Sequence, residues 1–481
     1  MDTIKELREK LDKGEVTSEE LFKKSNELAH KYQEEYNSFV TIIDEYKHNS
    51  GKSLIDGIPY ALKDNFSTKG ILSTASSNIL KDYVPVYDAT VYKKLQEAGG
   101  VLVGKTTLDE LAMGGTGTTG HTGIVRNPWD KNRQIGGSSA GSSAAVALGI
   151  VPFALGSDTG DSIRKPAAFG GVVGWKPTYG RISRYGLFAF ASSLDHVGCF
   201  TRSVRDAAIV TDIIKGEDSY DMTSLPNDSE VYADMLDNDI KGKKLFYIKE
   251  LTDKELYKDA GDVTLEILDK FKETIEKCKK LGFEVEEVSF DERYLKALYP
   301  SYMTISCAEA TSNNSNLTGI PFGPRGKGDN IEEIMFNART EGFSELIKRR
   351  FILGSYILQR ENQERLFKNA QRLRRLVVDK MNELFKTYDA MILPASGGIA
   401  PKFDEEIDRM SPRYLMLENH LVIGNFGGFP SITLPNGFVN DMPIAINITG
   451  RQFEDGLTLN IANKIEEELG YKGLVKEEYD V

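Results

Sequence analysis

Residues 136–178 read GGSSAGSSAAVALGIVPFALGSDTGDSIRKPAAFGGVVGWKPT, and this stretch restricts the fold more tightly than any other. Two loops dense in glycine and serine, Gly136 to Ser143 and Gly156 to Ser162, are separated by an alanine-rich helical run and a short apolar strand ending in Ala154 and Leu155. The helix and strand between them can return both loops to one place. Such loops carry too little side chain to fill a core, so they offer backbone N–H groups, hydroxyls and close approach to a bound molecule. Ser162 is read as opening a short helix, which would aim consecutive N–H groups at the space beside its hydroxyl, as in an oxyanion site. Two readings of Ser162 follow: a nucleophile in front of an oxyanion hole, or the N-cap of a helix after a Gly/Ser loop. The presence of two such loops, with Ser138 and Ser162 24 residues apart, moves the balance towards the first.

The rest of the chain supplies the frame. Thr17-Ser18-Glu19-Glu20 is a capping box that starts a helix running to Tyr32, after a first helix over Thr3 to Leu11. Helical patterns at Ala89 to Gly99 and Val204 to Lys215 alternate with apolar strands at Asp56 to Leu62 and Gly100 to Gly104. Gly180 to Gly186 and Ser193 to Arg202 read as turns linking strands. Further on, LFYI at 245–248, a helix over about 261–281 and a strand over 283–288 form an α/β layer. A helix-rich stretch from Ile331 to Tyr388, the strand AMILPA and an apolar segment from His420 to Gly450 complete the pattern. No linker divides these elements, so the expectation is α/β, with a single large mixed β-sheet covered by helices and one domain over 1–481.

Several function classes are disfavoured. With 72 acidic against 60 basic residues the net charge is −12, a poor match for gripping a phosphate backbone. Cys199, Cys278 and Cys307 fit no zinc or disulfide spacing, and the five histidines are scattered, with no HExxH and none beside Ser162. A metal site and a Ser-His-Asp mechanism are both unsupported. Gly99, Gly104, Lys105 and Thr106 match the phosphate-loop pattern, but the four residues between the glycines are β-prone and follow a helix, the reverse of what a P-loop needs. The charged start and the lack of any long apolar run point to a cytoplasmic protein with no membrane contact. Lys63 is unusual, because it ends the apolar run DGIPYAL, where an ammonium must be paired, neutral, or led out to the surface.

The ordered series GGSSAGS, GSDTGDSIRKPAAFGGVVGWKPTYGRISRYG and, upstream, GIPYALKDNF resembles the amidase signature family. Within it, the similarity is to the A subunits of tRNA-dependent amidotransferases. It runs over nearly the whole chain and is strongest from about Gly57 to Ala208, after N-terminal helices over about 1–50; the remainder would complete the sheet and the substrate site. The resemblance implies Ser162 as the acyl-accepting nucleophile, Ser138 as a bridging serine and Lys63 as general base, with the N–H groups of Thr159, Gly160, Asp161 and Ser162 as the oxyanion hole. Asp158 and Arg164 would brace the loop. A lysine in that role must lose its proton near neutral pH, and the apolar run before Lys63 suits that demand.

By the same resemblance, glutamine would be held at its amino-acid end by Tyr302, Arg350 and Glu418, an arginine for the α-carboxylate and an acid for the α-ammonium. The implied activity is hydrolysis of glutamine to supply ammonia for amidation of Glu-tRNA(Gln), and of Asp-tRNA(Asn) as a second substrate. Subunits B and C would be the partners, holding most of the misacylated tRNA. The chain itself would need no cofactor, ATP and Mg²⁺ being used by the assembled complex. A stand-alone amidase acting on another amide is the alternative. The sequence departs from the family at Asp161, where glycine is usual, at Lys165 for glutamine, at Cys199 for proline and at Glu418 for aspartate. GGTGTTGHTG after Met113 also lacks the glutamate expected near the mouth of an ammonia tunnel. Asp161 and Lys165, four residues apart across the first turn of a helix, are expected to form a compensating ion pair, the alternative being two solvated and independent charges.

Overall fold

The alanine-rich run forms the helix Ala140–Ala147, and all eight of its residues are buried. Small side chains allow this, because the helix backbone must pass close to its neighbours. A Cβ on Gly141 would lie 2.6 Å from the amide nitrogen of Thr107 and 2.3 Å from the carbonyl oxygen of Ser38. The serines that follow the first loop satisfy carbonyl groups around this helix: Ser142 Oγ donates to Leu155 O at 2.9 Å and Ser143 Oγ to Pro166 O at 2.7 Å. The structure, a computed structural model, describes residues 2–476.

The strands are β1 (Phe39–Ile42), β2 (Pro59–Lys63), β3 (Val101–Thr106), β4 (Phe153–Asp158), β5 (Val173–Lys176), β6 (His196–Thr201), β7 (Lys244–Ile248), β8 (Glu284–Val288), β9 (Ala390–Pro394), β10 (Ser431–Val439) and β11 (Met442–Gly450). They form one sheet in the order β1-β3-β2-β4-β6-β5-β10-β11-β9-β7-β8. β2 runs parallel to β3 and β4, β7 runs parallel to β8 and β9, and the middle of the sheet from β4 to β9 is antiparallel. The fold class is therefore the mixed α/β sheet expected. Helices cover both faces, as the uninterrupted burial of β2, β3, β4 and β6 requires.

The N-terminal helices lie at Ile4–Asp12 and Ser18–Tyr36, each opened by a complete capping box, Thr3 with Glu6 and Thr17 with Glu20. The segment Ser193 to Arg202 is a correction: it contains β6, a fully buried strand between β4 and β5. Its glycine, histidine and cysteine disguise the pattern, because a strand covered on both faces shows no polar alternation. Gly198 has no room for a side chain, since a Cβ there would sit 2.0 Å from the carbonyl oxygen of Trp175. The phosphate-loop look-alike is strand β3, buried throughout. Its Lys105 donates to Phe66 O at 2.9 Å and Ser73 Oγ at 2.7 Å and lies 3.4 Å from Asp64 Oδ1.

Candidate active site

The parallel strands β2, β3 and β4 end side by side, with Lys63 in register with Thr106 and Leu62 with Leu155. The space beyond the carboxyl ends of parallel strands is where α/β sheets leave room for ligands. Lys63, the last residue of β2, is fully buried there. Its amine reaches three hydroxyls: Ser138 Oγ and Ser139 Oγ, both at 2.8 Å, and Ser157 Oγ at 2.9 Å. The hydroxyl of Ser139 is already donated to Ser157 O at 3.0 Å, so towards Lys63 it can only accept. Ser157 Oγ accepts from Asn65 Nδ2 at 3.0 Å. A neutral amine has two N–H donors and one lone pair. Ser139 therefore takes one donor; Ser138 and Ser157 both keep a hydroxyl proton that could face the lone pair, but Ser157 Oγ is also held by Asn65, whereas Ser138 Oγ meets only the amine among the described residues.

The electrostatics favour that neutral state. Burial lowers the Lys63 amine from 10.5 to about 7, although Asp109, Asp158 and Asp195 pull it upward. A lysine cradled by hydroxyls and kept from water can therefore exchange a proton near neutral pH. The two histidines nearest this region do not compete. His196 and His420 are buried, which drives both rings towards the neutral form, and each engages a backbone carbonyl through Nδ1.

The second loop carries Ser162, which is 3% exposed. Its carbonyl oxygen accepts from the Ser139 N–H at 3.2 Å, so the two glycine–serine loops do meet. Among the described residues, the N–H groups of Thr159, Gly160, Asp161 and Ser162 find no acceptor within the protein, which leaves four donors for a bound oxygen. The helix expected to open at Ser162 begins instead at Arg164 and ends at Gly170. The Asp158 carboxylate accounts for this difference, because it accepts from the N–H groups of Ile163 at 2.8 Å and Arg164 at 3.4 Å. The helix start is thereby satisfied internally, and the free donors belong to the loop before it.

Asp158 and Arg164 form a fully buried ion pair, Nη2 to Oδ1 at 2.9 Å and Nε to Oδ2 at 3.2 Å. Burial would raise the Asp158 carboxyl, but the Arg164 guanidinium and the Asn425 amide hold it well below the usual carboxylate range. Arg164 also donates to Gly160 O at 2.8 Å and Leu421 O at 2.6 Å. The pair therefore fixes the loop through its backbone, Asp158 at the N–H of Ile163 and Arg164 at the carbonyl oxygen of Gly160.

A cleft of about 920 Å³ opens in front of the loop, and Gly160, Asp161, Lys165, Tyr302, Arg350 and Glu418 all line it. Tyr302, on the helix Glu292–Asn313, lies over the loop so closely that a Cβ on Gly160 would sit 2.9 Å from its ring. Burial pushes its phenol pKa upward, and the ring stays neutral. Arg350, on the helix Glu345–Leu358, stacks on Phe190 with 5.6 Å from its guanidinium carbon to the ring centre, and its buried Nε and Nη1 have no hydrogen-bond partner among the described residues.

Glu418 is placed in the same cleft, but its charge is already met. Oε2 accepts from Lys165 Nζ and from Ser396 Oγ, both at 2.8 Å, and Oε1 lies 3.4 Å from Arg413 Nε. Burial alone would raise its carboxyl, yet Lys165 and Arg413 hold it at about 2. The expected Asp161–Lys165 ion pair is therefore absent. The only bond between the two is from the Lys165 N–H to the Asp161 carbonyl oxygen at 2.8 Å, and the lysine side chain turns to Glu418. The Asp161 carboxylate is half-buried and makes no hydrogen bond or ion pair to a described residue. Burial pushes it up to about 6, against the pull of Lys165.

Three participants escaped the sequence reading. Ser139 could not be told from Ser138 by pattern, and Ser157 lies within a strand. Asp109 is the third: its two oxygens accept from the backbone N–H groups of Gly115, Thr116, Gly117, Thr118 and Thr119, which shapes the GGTGTTG loop around one buried carboxylate. A Cβ on Gly137 would fall 1.9 Å from Asp109 Oδ2, so the first glycine–serine loop needs glycine at that point. The acid followed by a run of small residues was the available signal. Among the described residues no cluster of histidine, cysteine and carboxylate side chains suits a metal, and no helix is long and apolar enough to cross a membrane.

Comparison with known proteins identifies the family. A sequence model of the family described as amidase matches residues 18–459. The A subunit of glutamyl-tRNA(Gln) amidotransferase from Halothermothrix orenii is 40% identical over 476 residues, 98% of each chain. The crystal structure of the same-named polypeptide from Thermotoga maritima superposes with a TM-score of 0.80 at 36% identity, covering 97% of this chain and 94% of the other. A crystal structure described only as an amidase superposes with a TM-score of 0.77 at 27% identity, over 97% and 99% of the two chains.

Proposed function

The chain belongs to the amidase family, and from that premise we propose that it is the glutamine-hydrolysing component of a tRNA-dependent amidotransferase, the role of the A subunits it resembles. The observation that carries the chemistry is the buried Lys63 amine, with Ser138 as the hydroxyl that meets no other group among the described residues and so can pass a proton to it. Ser162 Oγ attacks the carboxamide carbon of glutamine. Its proton passes to Ser138, whose own proton passes to Lys63. The carbonyl oxygen becomes an oxyanion among the N–H groups of residues 159–162, each such donor contributing roughly 3 kcal/mol in acyl-transfer enzymes. Collapse breaks the C–N bond, and the proton on Lys63 returns through Ser138 to the leaving nitrogen, which departs as ammonia. Water then attacks the γ-glutamyl ester of Ser162 by the same relay, releasing glutamate.

Arg350 supports glutamine as the amide, since an unpaired buried guanidinium beside Tyr302 suits the α-carboxylate of a free amino acid. Near-full-length identity of 40% to a relative named for an amidotransferase, against 27% to the structure named as an amidase, favours this reading over a stand-alone amidase. The ammonia would pass to a partner. Subunits B and C would hold the misacylated Glu-tRNA(Gln) or Asp-tRNA(Asn) and use ATP and Mg²⁺ to activate it, in the cytoplasm. The acidic balance of this chain, net −12, accords with leaving the RNA to the partner.

The test is Ser162→Ala in the complex assembled with the two other subunits. Glutamine-dependent amidation should be lost, while amidation supplied with ammonium salts should persist. Glutamine-dependent activity near the wild-type rate would reject Ser162, and failure of the chain to assemble with those subunits would return the stand-alone amidase.

A further inference from the structure

The charges lining the cleft are unevenly distributed. Glu418 faces two cations, Lys165 and Arg413, so that corner carries a net positive charge before any substrate enters. An incoming ammonium would meet Lys165 at 2.8 Å from Oε2, on a side chain that is itself only 7% exposed, and Arg413 beside Oε1, so it would enter against two cations. Asp161 is the opposite case. It lines the same cleft, precedes the nucleophile by one residue, and has no hydrogen-bond or ion-pair partner among the described residues. Arg350 is its positive counterpart, a guanidinium with two buried nitrogens lacking acceptors among the described residues. Tyr302 stands close enough to feel the charge of both. Asp161 and Arg350 thus lack an ion-pair partner among the described residues, with Tyr302 in the field of each; Asp259, Glu406 and Arg409 also line the cleft without one, but of these charges only Asp161 belongs to the loop of residues 159–162.

We propose that Asp161 receives the α-ammonium of glutamine, and that Lys165 holds Glu418 out of that role. The inference rests on the glutamine-hydrolysing reading above and assigns the amino-acid end of its substrate. An unpaired carboxylate beside an oxyanion site is unfavourable on its own, because it opposes the charge developing there. A bound ammonium removes that opposition, so the carboxylate is neutralised when substrate is present. An amide without an α-ammonium would leave Asp161 uncompensated next to the reacting carbonyl. Asp161 would therefore select for α-amino acid amides, in addition to holding them.

The test compares kcat/KM for L-glutamine and for glutaramate, which is glutamine without its α-amino group, in the assembled complex. Wild type should prefer glutamine by about ten- to a hundredfold, the range of a hydrogen bond to a charged group. Asp161→Asn should bring the ratio close to one, and Asp161→Glu, which keeps the charge, should retain a preference. If Asp161→Asn is too slow to assay, calorimetric binding of the two compounds to Asp161→Asn in a Ser162→Ala background gives the same comparison. An unchanged preference in Asp161→Asn, or its loss in Glu418→Gln alone, overturns the proposal and returns the ammonium to Glu418. A wild-type complex that hydrolyses glutaramate but not glutamine overturns the glutaminase reading and this assignment with it. A complex that hydrolyses glutamine with an unaffected Asp161→Asn ratio overturns this assignment only.

Discussion

Acylation of Ser162 by glutamine should follow the neutral fraction of Lys63. Burial brings that amine to about 7, whereas an ordinary lysine titrates at 10.5. At pH 7 about half of the buried amines are neutral, against roughly one in three thousand for the ordinary value, a gain of about three orders of magnitude in active base. The sign follows from which form works: the proton-free amine accepts, so activity is lost as pH falls through about 7. Rapid-quench measurement of kcat for glutamine hydrolysis, from about pH 5.5 to 10, should rise nearly tenfold per unit below 7 and level off above about 8. Asp161 is pushed up to about 6 and bears on substrate binding, so its protonation should appear as an extra acid limb in kcat/KM and be absent from kcat. Lys63→Arg, a cation of similar length that cannot give up its proton, should lose about a thousandfold or more at every pH. A kcat that keeps rising beyond about pH 9, or one that is flat from about pH 5.5 to 8, would refute the buried-base argument.

Other expectations test separate parts of the structure. Arg350→Ala should raise KM for glutamine with a smaller effect on kcat and spare ammonium-supported amidation, because an anchor remote from the amide contributes mostly uniform binding; equal loss with both nitrogen donors would point to a structural role. Asp158→Ala strands the Arg164 guanidinium in the interior and should destabilise the chain by about 3 to 5 kcal/mol in urea unfolding, with Arg164→Met tolerated better in the presence of Asp158→Ala than alone. Asp195→Asn removes a negative charge that raises the Lys63 amine, so the acid limb of kcat should move to lower pH. A double-mutant cycle on stability should find about 1 to 3 kcal/mol of coupling between Lys165 and Glu418, and a smaller value between Lys165 and Asp161, which interact without a side-chain contact.

How much of this was legible in the chain depends on the range of each interaction. The first helix, the capping box at Thr17 and the strand ahead of Lys63 are decided within a few residues, so propensity and spacing place them to within a turn. The buried alanine helix and the two glycine–serine loops were legible for a related reason, since only small residues permit the approach that Gly137 and Gly141 make. β6 was not, because a strand enclosed on both faces loses the alternation that marks a strand, and its neighbours β4 and β5 are set by the whole sheet. The same distinction governs the site. Sequence alone determined which residue types were available: a lysine ending an apolar strand, serines on glycine-rich loops, and charges at 161, 165, 350 and 418. Only the tertiary structure decided the pairing of Lys165 with Glu418 instead of Asp161, because a lysine reaches whichever carboxylate the fold carries to it. That partner is 253 residues away in the chain and 2.8 Å away in space.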